Sequence, residues 1–244
     1  MDPLTSPTER AAAAESAVLR RFVRHAGPFA WARASWPPSS GPWHYWWHAH
    51  LIDAIGDAGR RDDPERGRRR AAALARTVRV RTGGRWVNSY SDDIAWMGLA
   101  LTRALPRSRG IRPIVRHLRA RIDPAAGALP WHVGSTFLNA PANAPAAILL
   151  ALRGHLDDAE QLTDFVFSLA DPVSGLVHDG RGESALYTYN QGTAIGAALA
   201  LARAGRDPEG NRERAASVIR SVDAWCPDEL LPSPGGGDGG LFAG

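Results

Sequence analysis

Asn88-Ser89-Tyr90-Ser91-Asp92-Asp93-Ile94-Ala95-Trp96-Met97 is the stretch on which the reading of this chain turns. Its Asn/Ser lead-in marks a helix start. Ile94, Met97, Leu101 and Leu105 then recur at helical spacing, which puts both aspartates in the first turn. Adjacent carboxylates repel, so a pair kept inside an apolar helical segment calls for a reason. Two acids can complement the positive end of the helix dipole. They can also work as a unit, because like charges in one site cannot both ionise cheaply and one member is pushed up to hold a proton near neutrality.

Working outward, the pattern is helix after helix. Ala, Leu and Arg at helical spacing fill approximately 7–34, 43–58, 64–80, 91–105, 107–121, 142–153, 155–169, 190–204 and 209–224. Punctuation such as Pro37-Pro38-Ser39-Ser40-Gly41-Pro42 and Thr82-Gly83-Gly84 separates them, and no convincing alternating strand is present. A chain of 244 residues with 44% apolar content can bury a sizeable core, so the expectation is one all-α domain spanning 1–244. Periodicity alone leaves an α-hairpin array and a toroid equally open.

Three further segments join the aspartate pair in an ordered set. Upstream lies Trp43-His44-Tyr45-Trp46-Trp47-His48-Ala49-His50-Leu51-Ile52-Asp53-Ala54; downstream lie Asn139-Ala140-Pro141-Ala142-Asn143-Ala144-Pro145-Ala146-Ala147 and Tyr187-Thr188-Tyr189-Asn190-Gln191-Gly192-Thr193. Together they resemble glycoside hydrolase family 76, the endo-α-1,6-mannanases, with His48 standing where a glutamine is expected. The resemblance runs from about Trp43 to the C-terminus. It implies an (α/α)6 barrel whose inner helices present their starts to a common cleft. That ring takes twelve helices, so about three are expected to be missing at the C-terminal end. The incomplete ring would expose apolar helix faces and favour self-association.

The resemblance also implies a retaining hydrolase of α-1,6-mannosidic linkages, acting on a mannose-containing oligo- or polysaccharide without a cofactor. Such enzymes hold two carboxyl groups about 5–5.5 Å apart, a spacing that consecutive residues can meet. Asp92 would be the nucleophile and Asp93 the acid/base, although the sequence leaves the reverse order open. The expected substrate contacts are Trp46, Trp47, His50, Tyr90, Trp131, Asn139, Asn143, Tyr189, Asn190 and Gln191. Among the nine tryptophans, Trp46 and Trp131 are the preferred sugar platforms and Trp96 is expected in the core. For the polar set the competing role is helix capping and loop bonding, expected for at least half of them. The competing function is a non-catalytic or truncated member that keeps the glycan groove, or only the helical scaffold, without a competent closed barrel. A sugar epimerase on the same fold would use histidine chemistry instead of an Asp pair.

Other chemistries find less support. All 29 basic residues are arginine and the formal charge is only +4, while the densest basic run, Arg60 to Arg70, is interrupted by acids, so no nucleic-acid footprint is expected. His44 and His48 lie one helical turn apart and His50 is near, a spacing that can bind metal. No third ligand or His-Glu-x-x-His motif accompanies them, and no metal site is expected. Cys226 has no partner for a disulfide. Gly235 to Gly240 reads as a low-complexity stretch and not as a phosphate cradle. The residues from Met1 to Arg24 lack an apolar leader and no membrane span is visible, which predicts a cytoplasmic protein, whereas the family resemblance allows a secreted or cell-envelope one.

Overall fold

The structure, a computed structural model, describes residues 6–33 and 43–226. Among them are nine helices and one two-stranded hairpin. The described residues pack as two compact units, one drawn from the chain up to Asn88 with Trp96–Ile114 and one from Ser89–Ala95 with the chain from Val115 on. The glycine-rich segment 235–240 lies outside the described residues.

In the first unit, α1 (Pro7–Phe22) opens with a reciprocal capping box between Ser6 and Glu9 and has proline at its first position. The sequence predicts a helix running on to 34, but the chain instead turns into β1 (Val23–Ala26) and β2 (Phe29–Ala32), paired antiparallel with Val23 opposite Ala32. Gly27-Pro28 is the cause: Gly27 adopts φ +53, and Pro28 has no N–H for a helical bond. Next come α2 (Tyr45–Arg61) and α3 (Pro64–Arg81), the latter capped by Asp63, whose carboxylate accepts from the Glu65 and Arg66 amides. These two helices touch through glycine. A Cβ built on Gly59 would lie 2.8 Å from the Gly67 Cα, so only residues without a side chain allow this approach.

The helix α4 (Ser91–Ala104) begins within the second unit and continues in the first, followed by α5 (Ile111–Arg119). The rest of the second unit is α6 (Ala140–Leu152), α7 (Leu156–Phe167), α8 (Thr188–Arg203) and α9 (Pro208–Trp225). Helix α6 packs on both α7 and α8, and α8 packs also on α9. Burial follows from this. From Ala140 to Ala147 every residue of α6 is buried, as expected of a helix apolar all round, whereas α9 buries only Asn211, Ala215 and Val218. Thus α6 and α8 are inner helices, α7 and α9 outer ones, and it is the inner helix starts that border the site. No helix among the described residues is long and apolar enough to cross a membrane.

Candidate active site

The site is built in the second unit on the first turn of α4. Ser91 begins the helix as the sequence predicts, but its hydroxyl reaches across to donate to the Pro130 carbonyl at 2.6 Å, while its amide donates to the Trp131 carbonyl at 2.8 Å. These bonds tie the Asp pair to the segment carrying Trp131. Asp92 is then held from both sides: Oδ1 accepts from the Asp93 amide at 2.9 Å, and Oδ2 accepts from the Trp131 indole N–H at 3.0 Å. Burial pushes the Asp92 carboxyl above its ordinary value despite those donors, and a neighbouring carboxylate adds to the rise. That neighbour is Asp179.

Asp179 is absent from the residues expected from the sequence. Its Oδ1 accepts from Asn190 Nδ2 at 3.1 Å, and the Tyr189 hydroxyl donates to the same carboxylate. Burial raises its pKa first, and Glu183 contributes. The Tyr189 hydroxyl is itself pushed far up by burial and by the charges of Asp179 and Asp92, so it remains a protonated donor.

A repeat in the chain could have revealed Asp179. Asp123-Pro124-Ala125-Ala126-Gly127-Ala128-Leu129-Pro130-Trp131 returns as Asp171-Pro172-Val173-Ser174-Gly175-Leu176-Val177-His178-Asp179. Each leading aspartate accepts from the amides two and three residues on, and each glycine has positive φ. The amides of Trp131 and Asp179 donate to Phe137 and Ala185, closing equivalent hairpins around Gly134 and Gly182. The carbonyls of Trp131 and Asp179 accept from the starts of successive inner helices, Ser91 and Ala140. Trp131 and Asp179 therefore occupy the same position in two copies of one device.

The same repeat assigns a bracing role to two expected sugar contacts, Asn143 and Gln191. Asn143, 0% exposed, accepts from the Leu129 amide at 2.7 Å and donates to the Leu129 carbonyl at 3.0 Å and the Asn139 carbonyl at 2.8 Å. Gln191 treats Val177 identically, at 2.8 Å each way, and also donates to the Tyr187 carbonyl. Asn139 is buried as the cap of α6, accepting from the Ala142 amide. The Asn143 and Gln191 amides mimic a missing strand neighbour and are spent on backbone, so these two residues brace the hairpins, whereas Asn139 gives its Oδ1 to the helix cap. Asn190 is buried as well, bonded to Asp179. Tyr90 and Trp131 are open, 42% and 36% exposed, with ring centroids 5.5 Å apart in an edge-on arrangement.

Trp46, Trp47 and His50 lie on α2 in the first unit. Trp46 meets Trp47 and His50 edge-on, and His50 contacts Trp96, which is half-buried. Burial lowers the His50 pKa. The histidine spacing has a structural use. His48 Nδ1 lies 2.7 Å from the His44 carbonyl and Nε2 accepts from the Ala32 amide at 3.0 Å, so both ring nitrogens are taken and burial pushes the ring down to about 4. It pins the hairpin to α2.

With this geometry in view, the chain can be set beside known proteins. No protein-family model matches the sequence, and no curated protein matches it. Solved structures do. The family 76 α-1,6-mannanase of Salegentibacter sp. HEL1_6 matches at 26% identity and TM-score 0.83, over 96% of this chain and 76% of its own. An inactive variant of that enzyme, with two adjacent aspartates changed to asparagine and α-1,6-mannotriose bound, matches at 25% identity and TM-score 0.84 with the same coverage. A D-mannose isomerase matches in fold alone, at 15% identity and TM-score 0.66, over 97% of this chain and 74% of its own. The all-α class is thus the (α/α)6 fold that the sequence resemblance implies, and the match spans about three quarters of the mannanase chain.

Proposed function

Because the chain has the fold of the family 76 glycoside hydrolases, we propose that it is a retaining glycoside hydrolase of α-1,6-linked mannose chains, with Asp92 and Asp93 as its two carboxyl groups. The observation that carries this reading is the setting of the pair. Three adjacent Asp-Asp pairs occur in the sequence, at 62–63, 92–93 and 157–158. Asp62 is paired with Arg61, Asp157 with Arg206 and Asp158 with Arg119, whereas Asp63 caps α3. Asp92 instead sits half-buried beside another carboxylate and an exposed tryptophan, which is the environment that carboxylate chemistry needs. The inactive mannanase variant altered at two adjacent aspartates supports the same choice.

In the proposed reaction Asp92 attacks the anomeric carbon while Asp93 gives its proton to the departing glycosidic oxygen, leaving a glycosyl ester on Asp92. Water then attacks the same carbon, Asp93 takes its proton back, and the ester bond breaks to free Asp92. Two N–H donors on the Asp92 oxygens favour its anion and fix its direction, while its raised proton affinity makes that anion a stronger nucleophile. Trp131, held by the same bond, offers an indole face to a neighbouring sugar.

The test is hydrolysis of α-1,6-mannan by the purified protein beside Asp92→Asn and Asp93→Asn. Turnover by the parent and its loss, by a factor of about 10³ or more, in both variants is expected. Parental rates in both variants would reduce the pair to a helix start. An inert parent that still binds mannan oligosaccharides would make it a glycan-binding protein.

A further inference from the structure

The first unit carries a surface that the proposed chemistry does not use. Between Glu15 and Asp53, and again between Glu65 and Asp92, the sequence has no acidic residue, while arginine recurs through both stretches. The first stretch holds the second half of α1 and the β1–β2 hairpin, and the second holds most of α3. Helix α1 buries no residue, and its Glu15 is turned inward to Arg61 at 3.3 Å and Arg70 at 2.9 Å. Past the capping Glu9, its exposed positions therefore hold no acid: they are alanines, Val18, Arg10, Arg20 and Arg21.

The hairpin sorts its side chains in the same way. Val23 and Ala30 are buried, lining a cleft with Ile55 and Leu74, and the cross-strand register then leaves Arg24, Ala26, Phe29 and Trp31 together on the outer face. Arg76 reaches from α3 to the Pro28 carbonyl at 3.0 Å, which sets it at the hairpin tip. The large hydrophobic side chains that the described part of this unit exposes are Val18, Phe29 and Val80. Single exposed apolar residues are ordinary, but each of these has an arginine beside it. Val18 lies one turn from Arg21, Phe29 shares the outer hairpin face with Arg24, and Val80 lies one turn from Arg76. Arg20 donates to the Ser16 hydroxyl, Arg24 to the Arg20 and Val23 carbonyls and Arg76 to that of Pro28; none of these three meets a carboxylate among the described residues.

Apolar tips set among arginines with no acid between them match a layer of anionic headgroups over an apolar interior. A nucleic acid would also attract the arginines, but aliphatic Val18 and Val80 give it no stacking platform. We propose that this face of the first unit docks on an anionic phospholipid surface, with Val18, Phe29 and Val80 entering the headgroup layer and Arg20, Arg24 and Arg76 meeting lipid phosphates. The attachment is peripheral and reversible, and it is independent of the function proposed above.

The experiment is co-sedimentation of the purified protein with vesicles of phosphatidylcholine alone and of an equal mixture of phosphatidylcholine and phosphatidylglycerol. Binding to the mixed vesicles only, released by high salt, is expected. Arg20→Gln combined with Arg24→Gln should weaken it about tenfold or more, and Phe29→Ser by about fivefold. The Phe29 change, at an exposed hairpin tip, decides the matter if the arginine variant does not fold. Arg153→Gln combined with Arg212→Gln alters net charge equally on exposed positions of the second unit and should bind like the parent. Failure of the parent to bind mixed vesicles overturns the inference, as does parental binding by Phe29→Ser. Equal weakening in the Arg153 and Arg212 variant would reduce the attraction to overall charge, and capture of a duplex DNA oligonucleotide in place of vesicles would make the face a nucleic-acid surface; either result also overturns it. None of these outcomes bears on mannan hydrolysis by Asp92 and Asp93, which is read separately.

Discussion

At Asp92 the helix end, two N–H donors and burial compete, and burial wins, raising the pKa. The like charge that assists is Asp179, where sequence reasoning expects it from within the pair. The sign has a consequence for stability. A carboxyl whose folded pKa exceeds its unfolded value of 3.8 opposes folding when ionised, and that opposition fades as pH falls through the window between the two values. Asp92→Asn should therefore raise the melting temperature at pH 7, with the gain shrinking toward about pH 4. Melting scans of parent and variant across that range check it; a lower melting temperature at pH 7 would mean that the helix end and the N–H bonds dominate. His48 behaves oppositely. Its folded pKa of about 4 lies below the ordinary 6.5, so its contribution is complete above 6.5 and is lost as pH falls toward 4. His48→Ala should cost about 1–3 kcal/mol at neutral pH by leaving the Ala32 amide unpaired, and should flatten stability across that window. Asp92 was legible because an acid pair in an apolar helix is locally anomalous. Asp179 was not, because a single aspartate in a Gly-rich loop looks like any turn residue.

At the scale of elements, the repeated hairpins and the glycine contact are the sensitive points. Asn143→Ala would strand both polar groups of Leu129, and Gln191→Ala both of Val177, so each should cost at least about 2 kcal/mol in chemical denaturation. Asn143→Ala should also reduce hydrolysis, since the hairpin it braces carries Trp131 and hence the donor on Asp92. Gly67→Ala drives a methyl group to 2.6 Å from the Gly59 Cα and should destabilise by about 1–3 kcal/mol through overpacking. Most helices were legible to within a few residues because caps and apolar spacing are local properties. The stretch 7–34 misled because Arg, Val and Ala suit a helix, and only Gly27-Pro28 said otherwise. The polar residues at the inner helix starts misled for another reason: a side-chain amide that braces a loop and one that binds a sugar have the same sequence signature.

For the whole molecule, a ligand that binds only the folded state must stabilise it. α-1,6-Mannotriose at a hundredfold excess over its Kd should add about 2.7 kcal/mol, read as a rise in melting temperature that maltotriose does not reproduce. No shift with either trisaccharide would count against the glycan site as a whole. What the sequence determined by itself was local or periodic: the helical class, the start of α4 at Ser91, the Asp pair in its first turn and the ordered motifs around it. What only the tertiary structure decided was which groups meet. Trp131 reaches Asp92 because Ser91 bonds the Trp131 strand, and Asp179 joins them because the next hairpin docks on the next inner helix in the same way. Such meetings between residues far apart in the chain depend on how helices and hairpins stack, and no local pattern of side chains encodes them; the pKa of Asp92 is set by those meetings, and so is the division of its polar neighbours into residues that brace and residues that face the site.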